Sequence, residues 1–204
     1  MSAGRLLPCG PEAFLAEYSS IAEVIAVARR VTGEALDDVI DVVPAARTVL
    51  VTVRPSVDRD LVRSLLLASV DTTAAPERSS TVEIEVRYEG IDLEAVAHAC
   101  GLTVDDVVDL HSAAQYTVAF CGFRPGFAYL VGLDQRLILP RRATPRPRVH
   151  AGTVAIASEY TAVYPSTSPG GWHLLGTTAA VLWDDGLDPP ALLPPGTNVR
   201  FVRR

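Results

Sequence analysis

From Gln115 onward the chain is cut into short β-like runs, Tyr116 to Cys121, Val154 to Ala157, Ala179 to Leu182 and Val199 to Val202, separated by Gly and Pro turns. Runs of that kind, so punctuated, point to a β-barrel or sandwich. The 204 residues are 49% hydrophobic, which allows at least one proper core and leaves room for two small domains.

The first 90 or so residues follow a different rhythm. Arg5 to Cys9 and Ala13 to Tyr18 flank a Gly10-Pro11 break. Ser20 and Glu23 then form a capping-box pattern ahead of a helix whose Ile21, Val24, Ile25, Ala28 and Val31 share one face, ending at Gly33. Val39 to Val43 and Thr48 to Val53 read as strands. Asp58 is placed to cap a second helix, predicted to turn Leu61, Leu65 and Ala68 toward a core. Thr81 to Tyr88 alternates as a further strand, expected to complete the first sheet, with Asp71 to Ser80 as a polar loop before it. The order predicts an α+β fold: a small split-βαβ, ferredoxin-like domain over residues 1–90, then a β-barrel domain over 91–204. The second domain is expected to open with two bridging helices, Asp92 to Cys100 and Thr103 to His111, parted by Gly101.

Composition excludes several functions. A net charge of -6 argues against a general attraction to nucleic acid, which rests on neutralising phosphates. All 18 basic residues are Arg, so neither Schiff-base chemistry nor a Walker-type phosphate lysine is available. Cys9, Cys100 and Cys121 are scattered without a CxxC spacing, and the four His show no HxH or HExxH pattern, so no metal site is expected. No basic-then-apolar leader is seen and no apolar run is long enough to span a bilayer, which predicts a cytoplasmic protein with no membrane partner.

The stretch from Gly122 to Trp172 concentrates Arg, Gly and Pro. In Gly122-Phe-Arg-Pro-Gly-Phe-Ala-Tyr-Leu130 the glycines Gly122 and Gly126 permit close backbone approach and Pro125 stiffens the loop. Backbone N–H groups beside Arg124 suit a carboxylate or phosphate; a tight aromatic-packed turn is the alternative. Leu139 to Val149 then sets Arg141, Arg142, Arg146 and Arg148 within eight residues of a net acidic chain. Pro145 and Pro147 force an extended backbone there, so the guanidiniums diverge and two at most are expected to serve one anion site. A solvated basic loop or a partner contact is equally compatible with this pattern. His111 and Glu159 are candidate proton carriers. Tyr164 to Trp172 offers hydroxyls, the pair Gly170 and Gly171, and an indole wall for a small-molecule pocket, unless Trp172 is plain core.

In their order and spacing, Tyr116-x-Val118, GFRPGFAYL, LPRRATPRPRV, AGTV, VYP and SPGGWHLLGTT resemble the family of the bacterial 5-oxoprolinase B subunit. That family also takes in proteins called allophanate hydrolase subunit 1 and the KipI sporulation-kinase inhibitor, and is similar to part of the carboxyltransferase domain of urea amidolyase. The motifs cover residues 111–178. His150 and Tyr160 depart from them, standing where proline and glutamine are common. The resemblance implies a cyclophilin-like barrel after the small domain. It further implies one member of a heteromeric 5-oxoprolinase, working with the A and C subunits to open 5-oxo-L-proline to L-glutamate while hydrolysing ATP, bound with magnesium in a shared site. Carried over on matching positions, it implies His111, Arg141 and Arg146 as catalytic residues, to which the reading of the residues adds Glu159. Gly122, Pro125, Gly126, Tyr129, Tyr164, Gly170, Gly171 and Trp172 are implied for substrate binding, and the loop chemistry adds Arg124. A KipI-like inhibitor of a sensor histidine kinase is the alternative, as is a carboxyltransferase component served by a biotin carrier from elsewhere.

Overall fold

The computed structural model describes residues 4–70 and 81–204, so the loop expected over 71–80 lies outside the described residues. The chain divides into two compact units, Met1–Glu77 and Arg78–Arg204.

In the first unit the strands are β1 (Arg5–Leu7), β2 (Ala13–Glu17), β3 (Val39–Pro44) and β4 (Thr48–Val53), and the helices are α1 (Ile21–Gly33) and α2 (Arg59–Leu67). The local signals act as their chemistry predicts. Ser20 Oγ accepts the Glu23 N–H at 3.3 Å while Glu23 Oε2 accepts the Ser20 N–H at 3.3 Å, closing the capping box. Asp58 Oδ1 accepts from the N–H groups of Asp60 and Leu61 at 3.1 and 3.0 Å, starting α2. The face of α2 differs in part from the prediction: Leu65 packs partly buried against the core as expected, but Val62 and Leu66 are the buried pair, Leu61 is exposed and Ala68 is the C-cap. Residues 62 and 66, four apart, lie on one face of the helix and meet the core together. Valines 49, 51 and 53 of β4 supply the matching sheet face by the two-residue period of a strand.

The antiparallel sheet runs β1-β2-β4-β3. This is the ferredoxin-like order with one substitution. The edge next to β2, which the last strand of that fold would hold, is taken by β1, joined to β2 by a turn containing Gly10 at φ +80°. A hairpin neighbour reaches that edge with little loop-closure entropy. The 81–88 strand therefore finds no place in the first sheet, which corrects the prediction, and the units part ahead of it rather than at Gly90.

The second unit contains β5 (Val82–Val86), α3 (Leu93–Cys100), α4 (Val104–Ala113), β6 (Tyr116–Cys121), β7 (Ala128–Val131), β8 (Arg146–Val149), β9 (Thr153–Ala157), β10 (Tyr160–Val163), β11 (Ser168–Gly170), β12 (His173–Thr177) and β13 (Asn198–Arg203). Seven strands form a barrel-like sheet in the order β12-β9-β10-β7-β6-β13-β5, with β8 and β11 as a separate pair. β5 lies parallel to β13 and turns Ile84 and Val86 into the core beside Val199 and Phe201. The two edge strands meet at one point: Arg87 and Thr177 exchange both backbone hydrogen bonds at 2.9 Å, nearly closing the barrel. Val96, Ala97, Val107 and Val108 of α3 and α4 share its core. Gly101 at φ +67° ends α3 as predicted, and Thr103 with Asp106 makes a second capping box on α4. The strand predicted over Ala179 to Leu182 does not form. Thr178 N–H turns to Gly152 O at 2.8 Å, and Leu182 O accepts from Leu192 N–H at 3.1 Å in a loop that leaves the sheet. No helix of the described residues is long and apolar enough to cross a membrane.

Closure depends on Gly176. A Cβ there would stand 2.3 Å from Arg87 O, which is backbone and has little freedom to retreat. Gly176→Ala is expected to destabilise the chain by about 2 kcal/mol, as overpacking a tight site does. Thermal melting of the two proteins measures it, and equal melting temperatures would contradict the closure described.

Candidate functional site

The GFRPGFAYL segment is a knot of its own hydrogen bonds. Gly122 N–H donates to Phe127 O (3.1 Å), Arg124 N–H to Gly122 O (2.8 Å) and Phe127 N–H to Arg124 O (3.0 Å). Those three donors are thus engaged and do not present themselves to an anion. Phe123 adopts φ +69°, a left-handed conformation that a bulky side chain rarely takes, and its ring is 59% exposed. Arg124 and Pro125 are exposed on the same turn, with the Arg124 guanidinium 5.7 Å from the Phe123 ring centroid.

Beyond the turn the chain throws Phe127 inward. Its ring meets Tyr164 and Trp172 edge to face at 5.3 and 5.6 Å between centroids, and Tyr129 stands 5.7 Å from Trp172. With Phe123 these rings enclose a groove of about 250 Å³, completed by Arg141, Pro145, Pro169, Gly170 and Gly171. Gly170 admits the Tyr164 hydroxyl, since a Cβ there would lie 2.3 Å from it. Burial pushes the Tyr164 hydroxyl pKa above its ordinary value, so it stays protonated beside the groove. The groove has no acidic residue on its lining. Its one cation is Arg141, 6.0 Å from the Trp172 ring centroid and with no ion-pair partner among the described residues.

The other arginines of that loop go elsewhere. Arg142 Nη1 and Arg146 Nη2 both donate to Asp92 Oδ1, at 2.9 and 2.7 Å, while Asp92 Oδ2 accepts the Leu174 N–H at 2.8 Å. Asp92 is only 2% exposed. Burial alone would raise its pKa, but the Arg146 hydrogen bond, the Leu174 N–H and the two guanidinium charges outweigh it and hold the carboxyl below its ordinary range. The pair expected to share one anion site, Arg141 and Arg146, is thus divided between the groove and a buried ion cluster. Arg142 and Arg146 reach inward to Asp92, whereas Arg148 is exposed.

His111 stands apart from the groove, fully buried in the barrel. Thr161 Oγ1 donates to Ala155 O (3.2 Å), so it accepts from His111 Nε2–H (2.8 Å), leaving Nδ1 to accept from the Tyr88 hydroxyl (2.8 Å). With both ring nitrogens engaged and desolvation lowering its pKa to about 3, the imidazole is neutral. Glu159 is exposed in the tight turn between β9 and β10. Burial, reinforced by the neighbouring Glu159 charge, pushes the Tyr160 hydroxyl up to about 12, and the Tyr160 ring packs edge-on to Tyr129. Of the residues the sequence singled out, Tyr129, Arg141, Tyr164, Gly170, Gly171 and Trp172 come together in the groove. Gly122, Arg124, Pro125 and Gly126 build the turn beside it. Phe123 and Phe127 were not singled out, although they are the aromatic letters of GFRPGF, and Pro145 was read only as stiffening the backbone. Asp92 carried no signal beyond a helix start, because its partners lie 50 and 54 residues on.

The groove suits a small ring bearing a carboxylate. It does not suit a magnesium nucleotide: one guanidinium cannot serve a triphosphate, the chain has no lysine, and the described residues hold no cluster of three His, Cys, Asp or Glu side chains.

Residues 4–193 match the family model of the carboxyltransferase domain, subdomain C and D. The chain belongs to this family. Among curated members, a protein named as the B subunit of 5-oxoprolinase from Escherichia coli O157:H7 is 42% identical over 172 residues, covering 82% of this chain and 79% of that protein. One of the same name from Haemophilus influenzae is 38% identical over 181 residues, covering 87% and 84%. Among solved structures, TTHA0988 superposes with a TM-score of 0.78 at 37% identity, covering 94% of this chain. This chain spans only 40% of TTHA0988. The Kluyveromyces lactis urea amidolyase shares the fold at a TM-score of 0.73 and 19% identity; this chain spans 15% of it.

The neutral His111 links this family member's stability to pH. Between about 6.5, the ordinary histidine value, and the folded value, the unfolded chain binds a proton that the fold refuses. Stability present above pH 6.5 is therefore lost as the pH falls. Melting temperatures of the wild type are expected to drop from pH 7 to pH 5 more steeply than those of His111→Gln. Parallel slopes would show that the imidazole is not held neutral.

Proposed function

We propose that this chain is the B subunit of an ATP-dependent 5-oxoprolinase and that its aromatic groove receives 5-oxo-L-proline. The observation that carries the reading is the pairing of a ring-lined groove with one uncompensated guanidinium, Arg141, and no acid. 5-Oxoproline is a flat five-membered lactam with a single carboxylate. Arg141 would take that carboxylate through its planar fork, while Phe127, Tyr129 and Trp172 hold the lactam ring and keep water from its face. Phe123, exposed at the mouth, leaves the groove open to a partner. The names of the relatives supply a multi-subunit enzyme, and we assign nucleotide binding and its phosphate chemistry to the A and C subunits, because the groove fits no triphosphate.

The proton-transfer roles expected of His111 and Glu159 do not follow from this geometry. His111 is sealed in the core, and Glu159 reaches the groove only through Tyr160. Arg146 acts, in this reading, as part of the wall.

Reconstitution with the A and C subunits tests the proposal. Arg141→Ala, an exposed change that leaves melting within about 1 °C, is expected to raise the KM for 5-oxoproline tenfold or more, the loss of about 1.4 kcal/mol. Trp172→Leu is expected to act in the same direction. An Arg141→Ala complex with unaltered KM and kcat would remove the groove from the reaction.

A further inference from the structure

Asp92 occupies the N-cap of α3, where an aspartate ordinarily turns its carboxylate to the first N–H groups of the helix, yet its side chain makes no cap hydrogen bond. Both oxygens are committed elsewhere. Oδ1 takes Arg142 and Arg146; Oδ2 takes the Leu174 N–H; and the Asp92 N–H donates back to Leu174 O at 3.2 Å. A local helix signal has been set aside in favour of a contact 50 residues away, a departure from local consistency of the kind that marks functional positions.

Arg142 directly follows Arg141, and Arg146 directly follows Pro145, the two residues of this loop that line the groove. Arg142 N–H also donates to Gly171 O at 2.8 Å, and the His173 ring bonds Pro140 O at 2.9 Å through Nε2. Arg141 itself has none of these ties and stands between residues that do. The side-chain ties at 142 and 146 depend on one buried carboxylate.

We propose that Asp92 is a positioning residue: through Arg142 and Arg146 it fixes the 141–146 segment and so holds the Arg141 guanidinium over Trp172. The consequence for ligand binding rests on the function proposed above, but the positioning itself does not. Asp92→Asn keeps the size of the side chain and an acceptor for the Leu174 N–H while removing the charge that gathers the two guanidiniums.

The first measurement needs no ligand. In the full chain, the side-chain protons of Arg141 carry ring-current shifts from the Trp172 indole. Asp92→Asn is expected to move them at least halfway to free-arginine values while the methyl resonances of the barrel core stay in place. Arg141 shifts that persist in Asp92→Asn would overturn the proposal, even if that variant melts at a lower temperature. A double-mutant cycle then reads affinity for 5-oxo-L-proline in the assembled complex. Asp92→Asn is expected to weaken binding about tenfold with Arg141 present and less than about twofold in the Arg141→Ala background. Equal losses in both backgrounds would mean that Asp92 acts only on stability, again overturning the proposal. Failure of the wild-type complex to bind 5-oxoproline would strike the functional reading alone, since the ring-current result stands apart from it.

Discussion

The carboxylate of Asp92 is the constraint on which the site depends. A charge 2% exposed is tolerated only when its lone pairs are filled, and here a backbone N–H and two guanidiniums fill them. Its position joins the start of α3, the strand β12 and the arginine loop. Three parts of the second unit, distant in sequence, are referred to one buried point. The loop that would otherwise be a solvated basic stretch becomes a wall, and the arginine left out of the cluster becomes the groove's cation.

The barrel supplies the frame for that wall. Its strands are short, and the edges touch at the Arg87–Thr177 pair of backbone hydrogen bonds, where Gly176 leaves room, with Gly90 N–H to Leu175 O and Asp92 N–H to Leu174 O continuing the contact. Inside it a line of polar groups runs from Tyr88 through His111 to Thr161, in which each side-chain polar atom has a partner. Such a satisfied chain costs little and fixes α4 against the sheet. The same satisfaction removes His111 from acid–base chemistry, since neither nitrogen is free and burial resists its protonation.

Much of this was legible in the residues. Ser20 with Glu23, Asp58 and Gly101 signal helix ends by chemistry confined to a few neighbours, and they act as read. The motifs carrying the family resemblance also hold all ten residues that line the groove, six of which were expected as site residues. What escaped the sequence is long-range. Nothing in Thr81 to Tyr88 says which of two sheets it will join; the edge next to β2 is occupied by β1, a hairpin neighbour, and the later strand pairs with β13. Nothing in the arginine loop says that Arg142 rather than Arg141 pairs with Arg146, because the choice is made by Asp92. His111 looked like a proton carrier by type, and only its hydrogen-bond partners on β10 and next to β5 show otherwise.

The central claim is that the ring-lined groove beside Arg141 receives a small lactam carboxylate. Saturation-transfer NMR on the complex assembled from this chain and its A and C subunits tests it most directly. With the protein's aromatic protons irradiated, the ring methylene protons of 5-oxo-L-proline are predicted to receive strong saturation, and Trp172→Leu to weaken it. Absence of transfer to those protons in the wild-type complex, with ligand demonstrably bound, would place the lactam elsewhere and contradict the account.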